Sequence, residues 1–241
     1  MAKTQDHRKL SCQPEANKML MKYFQIAEET NKRITGLTGP QCMVFPTGYT
    51  LEWYDEPCSL TKLNNNVFPN EKTEFIFELD DTAKTTDFIS QAIIPARGFL
   101  INEKVKVLLN EINLPEHKYF PAIVISKGVR LNYFWLHLID SNYEDIDYGK
   151  SNFYEGFAPG WKEQNCKLNS AKALFDLQKL EIIPTIWADT LHMNESSLNI
   201  KIDLFIFSLL HQNIFISDRA VEILNSQNVN GYKIIEQNIL K

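Results

Sequence analysis

Apolar and polar positions repeat along this chain with two different periods, and the period assigns the elements. Residues 99–101 (Phe-Leu-Ile) are a short apolar run, and Asn102 follows. Val105, Leu108, Leu109 and Ile112 then recur at i, i+3, i+4 and i+7, the stripe of an amphipathic helix. Asn102 suits the N-cap, because its side-chain oxygen can take up a free N–H of the first turn. Pro115 is expected to stop the helix. The same order returns later in the chain: Ile214, Phe215 and Ile216 as a strand, Ser217 as cap, a helix over 218–227, an Asn-Val-Asn-Gly turn and a strand from Tyr232. Ile101 and Ile216, Leu109 and Leu224, and Asn110 and Asn225 coincide at a constant offset. Either any capped helix after a strand looks this way, or the chain carries two equivalent modules packed on a common sheet.

The remaining segments fill in around these units. The runs YFPAIVI and RLNYFWLHLI flank a Ser-Lys-Gly-Val turn and predict a hairpin. In the second run Tyr133, Trp135 and His137 share one face, and Phe134, Leu136 and Leu138 the other. Both faces are largely apolar, as in a central strand covered on both sides. EFIFEL at 74–79 predicts a strand, and the tail of 80–93 a short helix with an Asp or Thr cap. Residues 42–60 read as short strands broken by Pro46, Gly48 and Pro57, and 170–180 as a weak helix or strand. Residues 181–189 and 199–210 supply more strand-like material. Towards the N-terminus, Met19, Tyr23, Ile26 and Ala27 have helical spacing behind Pro14, which can sit in a first helical turn. The expected fold class is α+β: a mixed, largely antiparallel sheet with packed helices and two similar strand–capped-helix–strand units. Residues 1–40 are expected to form an N-terminal arm and helix, and 41–241 a single domain.

Composition narrows the function classes. A chain of 241 residues can bury a core without disulfides or metals. Its net charge of −5, with no Lys/Arg cluster, argues against nucleic-acid binding, which wants a basic face. The four cysteines are widely spaced, with no CxxC pair, and read as reduced thiols of a cytosolic protein. Residues 1–18 are polar, and the longest apolar stretch, 202–210, carries Asp203 and Ser208 and is too short for a bilayer. The expectation is a cytoplasmic protein that does not engage membranes.

Candidate chemistry concentrates in the acidic, aromatic segment 140–161. Asp140, Glu144, Asp145 and Asp147 follow His137 closely. A calcium loop of EF-hand type would need glycine at its sixth position, where Asp145 stands, so a solvated loop is expected and no metal. The five histidines show no HExxH spacing, and no GxSxG, P-loop or GxGxxG motif occurs, so no cofactor is expected either. A small hydrolase using His137 with Asp140, Asp145 or Asp147 is one alternative, and a non-catalytic scaffold or dimerisation module is another. Gly156 and Gly160 flank Phe-Ala-Pro and read as turn residues. Trp161, in polar surroundings, is the better candidate for an exposed interface anchor.

The order of these features resembles a family of bacterial immunity proteins from polymorphic toxin systems, first described from a myxobacterial protein. The resemblance rests on the strand and capped helix from Phe99, the paired strands that follow, an IDYGKS step and the closing strand–helix–turn unit, and covers about 85–240. In that family the closing unit carries an apolar strand, a Ser-Asp or Ser-Glu cap and a Gly-bearing turn. Ile214, Phe215, Ile216, Ser217, Asp218 and Gly231 match it, and Asp147 and Ser151 match its Asp-x-x-x-Ser step. The resemblance implies a non-enzymatic protein that neutralises a cognate toxin by direct binding. Asp140, Glu144, Asp145, Asp147, Ser151 and Trp161 are the expected toxin contacts, with homodimerisation left open.

Overall fold

The computed structural model describes residues 21–43, 59–179, 185–194 and 202–241. The arm over 1–20 and the broken strands expected over 44–58 lie outside them. Where a helix is expected through Tyr23, Ile26 and Ala27, Tyr23–Glu28 is a strand, β1. Only one short helical turn follows, α1 (Lys32–Thr35), capped by Asn31 and closed at Gly36. The strand over 74–79 is present as β2 (Phe75–Glu78). The expected helix at the end of 80–93 is instead a two-residue strand, β3 (Phe88–Ile89), with both residues buried.

The first repeated unit folds as read. β4 (Gly98–Ile101) leads to α2 (Glu103–Leu109), and the Asn102 Oδ1 accepts from the Val105 N–H at 3.1 Å. Glu103 in the first turn favours the positive helix end. The helix ends at Leu109, well before Pro115. β5 (His117–Ser126) and β6 (Val129–Leu138) form the predicted hairpin. Lys127 (φ 50°) and Gly128 (φ 78°) make its two-residue turn, and positive φ at both positions matches the strand twist. β7 (Asn152–Gly156), β8 (Gln164–Cys166), α3 (Ala171–Gln178) and β9 (Thr185–Thr190) follow. β10 (Leu204–Phe205) precedes the second unit: β11 (Ile214–Ser217), α4 (Asp218–Ser226) and β12 (Tyr232–Ile235).

Among the described residues the strands form three sheets, of order β2-β5-β6-β4-β3, β10-β11-β1-β12 and β8-β7-β9, all antiparallel except the β2–β5 pair. The two repeated units therefore lie on different sheets, which answers the either/or in favour of two independent capped helices behind strands. β1 sits between β11 and β12, the strands of the second unit. One apolar core joins the two larger sheets. Val105 and Leu109 of α2 and Ala220 and Leu224 of α4 meet there, between Ile101, Leu136 and Leu138 on one side and Ile26, Ile214 and Ile216 on the other. The opposite face of the five-stranded sheet buries Phe75, Phe77, Leu100 and Trp135 in a second core. A third packs Phe205 and Phe215 against Phe153, Ile186 and Leu174 of the small sheet and α3.

A buried carboxylate braces the junction. Asp203 is fully buried beneath the Arg219 side chain. It accepts from the Ser217 hydroxyl at 2.6 Å, the Asn113 N–H at 2.8 Å and the Arg219 guanidinium. The Ser217 Oγ also accepts from the Ala220 N–H at 3.1 Å, so the α4 cap and the brace share one hydroxyl. Burial pushes the Asp203 carboxyl up, but the bonds from Arg219, Ser217 and Asn113 outweigh it and hold the carboxyl below its ordinary range. A lowered folded value stabilises the fold above the unfolded pKa, and that contribution fades as pH falls through the folded value. Asp203→Asn is expected to cost about 1–3 kcal/mol at neutral pH. It should also flatten the acid limb of stability below the ordinary carboxylate range, as measured by urea unfolding across pH.

Candidate interaction surface

The structure divides the sequence-predicted site residues into internal fasteners and exposed groups. Asp140, just after β6, accepts from the Ser208 N–H at 3.0 Å, the Ser208 hydroxyl at 2.6 Å and the Tyr143 hydroxyl at 2.8 Å. It fastens 140–143 to 206–209. Burial pushes its carboxyl up, against the pull of these bonds. Asp147 closes a turn by accepting from the Gly149 and Lys150 N–H groups at 3.1 and 3.2 Å. The bond from the Lys150 ammonium, helped by those backbone bonds, holds it below the usual carboxylate range. The buried Ser151 hydroxyl donates to the Asp147 carbonyl at 2.7 Å and accepts from the His192 N–H at 2.9 Å. Glu144 is exposed and Asp145 half-buried, both in a 3₁₀ turn at Tyr143–Asp145.

His137 does not join these carboxylates. It is fully buried in β6; its Nε2 bonds the Val67 carbonyl at 3.1 Å, and its Nδ1 accepts from the Trp135 indole N–H at 3.3 Å. Both ring nitrogens are engaged, and burial pushes its pKa down. The geometric convergence that the hydrolase alternative needs is absent among the described residues.

The most distinctive surface is the tip of the β7–β8 hairpin. Ala158-Pro159-Gly160-Trp161 is a β-turn closed by the Trp161 N–H on the Ala158 carbonyl at 3.0 Å. Pro159 sets the φ of the second position, and Gly160 at φ 80° supplies the left-handed third, as a type II turn requires. The turn displays two large apolar side chains, Phe157 at 58% and Trp161 at 66% exposure. Behind it the backbone is tightly held. The Gly160 N–H donates to the buried Tyr154 hydroxyl at 2.6 Å, and the Trp187 indole N–H donates to the Gly156 carbonyl at 3.0 Å. Gly156 admits the Trp161 backbone so closely that an added Cβ would stand 1.9 Å from the Trp161 carbonyl oxygen. A pocket of about 420 Å³ opens beside the turn, between Tyr154, Lys162, Trp187, Asp189 and His211. Lys162 pairs with Asp189 at 3.4 Å across its mouth.

Trp161 is exposed, as its polar context predicts, and Phe157 beside it is exposed without being marked by that context. The signal was present: a Pro-Gly turn flanked by aromatics puts both at the tip. Tyr154 and Trp187 gave no such signal, because only the β7–β9 pairing, Tyr154 opposite Trp187, makes them one support. None of the residues 140–151 lines the pocket beside the aromatic tip.

No known protein family and no curated protein sequence matches the chain. Gly156→Ala is expected to force the tip apart while leaving the cores intact. Amide exchange at Gly160 and Trp161 should accelerate at least tenfold, with exchange in β5 and β6 unchanged, as read by hydrogen-exchange mass spectrometry.

Proposed function

We propose that this chain is a non-enzymatic immunity protein that binds and blocks a cognate toxin protein in the bacterial cytoplasm, with the Phe157–Trp161 tip as its main anchor. The observation that carries the reading is two exposed aromatic side chains on one rigid, hydrogen-bonded turn. Large aromatics dominate binding energy at protein interfaces, and a preformed turn loses little conformational entropy on docking. The resemblance over 85–240 supports a toxin as the partner. The net charge of −5 suits a basic one, since complementary charge speeds encounter. In this reading Glu144, Asp145 and Asp147 form an acidic rim, while Asp140 and Ser151 hold the segment in shape.

The test is co-expression with the toxin encoded beside this chain. The wild type should protect the cells. The F157A/W161A double variant should keep its Tm, lose affinity for the purified toxin at least 100-fold and lose protection. Death of cells expressing the wild type would overturn the reading. So would full protection by the double variant, or a homodimer in light scattering that F157A/W161A dissolves.

A further inference from the structure

A second pocket lies between the two larger sheets and shares no lining residue with the one beside the hairpin. Its walls come from β1 (Ile26, Ala27, Glu28), from the connection between β3 and β4 and from the segment entering β11 (Gln212, Asn213). An acidic and a basic side chain line it. Glu28, the last residue of β1, accepts one long bond, from the Gln91 N–H at 3.4 Å. Arg97 is held by its backbone, which exchanges bonds of 2.7 Å each with the Asn65 side chain. Among the described residues its guanidinium makes no hydrogen bond or ion pair, with Glu28 or with any other group. Burial lowers the Arg97 pKa and raises that of Glu28, and each group partly offsets the shift of the other.

A half-buried guanidinium and a carboxyl group in one cleft, each short of partners, ask for a ligand that carries both complementary charges. The volume, about 190 Å³, is below the roughly 300–1,000 Å³ of pockets for drug-sized ligands, so the ligand is small. We propose that this pocket binds a small zwitterion of amino-acid size, its carboxylate on the Arg97 guanidinium and its ammonium on the Glu28 carboxylate. The planar fork of arginine is suited to a carboxylate held through two parallel bonds. A ligand with one charge would leave the other protein group desolvated and unpaired.

Proton linkage gives an independent handle. Burial pushes the Glu28 carboxyl up to about 8, against the pull of the Gln91 N–H and of Arg97. The groups facing it are Arg97, the buried Cys42 thiol, which burial and Glu28 push up to about 12, and Tyr232, its neighbour across β12. Asp140 raises the pKa of Arg97, and Arg97 in turn lowers that of His211. A raised folded value means that the folded state prefers the neutral acid. Its stabilisation is complete below about 4.5 and is lost as pH rises to about 8. Glu28→Gln cannot ionise. Its Tm advantage over the wild type should be absent near pH 4.5, grow up to about pH 8 and then level off.

Binding is tested by calorimetric titration of the full chain with each common L-amino acid near pH 8, with acetate and methylamine as single-charge probes. At least one amino acid should bind, while acetate and methylamine at the same concentration do not. Arg97→Gln and Glu28→Gln should each weaken binding more than tenfold with the circular dichroism spectrum unchanged. Should Arg97→Gln fail to fold, Arg97→Lys, which keeps the charge and loses the fork, should show the same loss. The proposal is overturned if no amino acid binds, if acetate binds as tightly as the amino acid, or if the folded variants bind like the wild type. The hairpin variant F157A/W161A should leave this binding unchanged, which keeps it distinct from the toxin reading.

Discussion

Two helices, each too short to be stable alone, bury their apolar stripes in one shared core, and the two larger sheets are joined through that burial. α2 spans 7 residues and α4 spans 9, well under the roughly 12–15 that an isolated helix needs. Their stability comes from Val105, Leu109, Ala220 and Leu224 packing between strands of both sheets. The caps and the Asp203 brace do a different task. They satisfy polar groups at the helix starts, so that those ends can approach the core without leaving donors unpaired. The brace also links the loop after α2, through Asn113, to the start of α4.

With the frame fixed in this way, the surface carries two sites of opposite character. The hairpin tip is apolar and convex. It stands away from the cores, and its rigidity comes from Tyr154, Trp187 and the absence of a side chain at Gly156. The inter-sheet cleft is polar and concave, and its charged groups are set by different sheets. Glu28 ends β1 of the four-stranded sheet, and Arg97 immediately precedes β4 of the five-stranded one.

Local signals in the sequence carried well into the structure. Asn102 and Ser217 as caps, the stripes behind them and the Lys127-Gly128 turn are each legible within a few residues, and each forms as read. β1 mimics a helix in sequence because it is a central strand covered on both faces. Phe24 and Ile26 pack into one core and Tyr23 into another, so the alternation that marks a strand is lost and Tyr23, Ile26 and Ala27 mimic a helix. β3 leaves no mark in the pattern because two residues cannot show a period. In the acidic segment, composition suggested an exposed contact face, yet Asp140 and Ser151 turn inward, since their partners, Ser208 and His192, are brought in by the fold. Glu28 and Arg97 sit in different segments, and nothing local in either marks a pocket.

β1 has a further consequence, for the order of events at the ribosome. Its two partners, β11 and β12, begin at Ile214 and Tyr232. At about 5–20 residues per second, this mostly apolar strand emerges roughly 10–40 s before anything exists for it to pair with. The five-stranded sheet, whose strands all lie between Phe75 and Leu138, can close during that interval; the four-stranded sheet cannot. The nascent chain therefore carries an unpaired β1 until β11 and β12 have been made, long after the strands of the five-stranded sheet are complete.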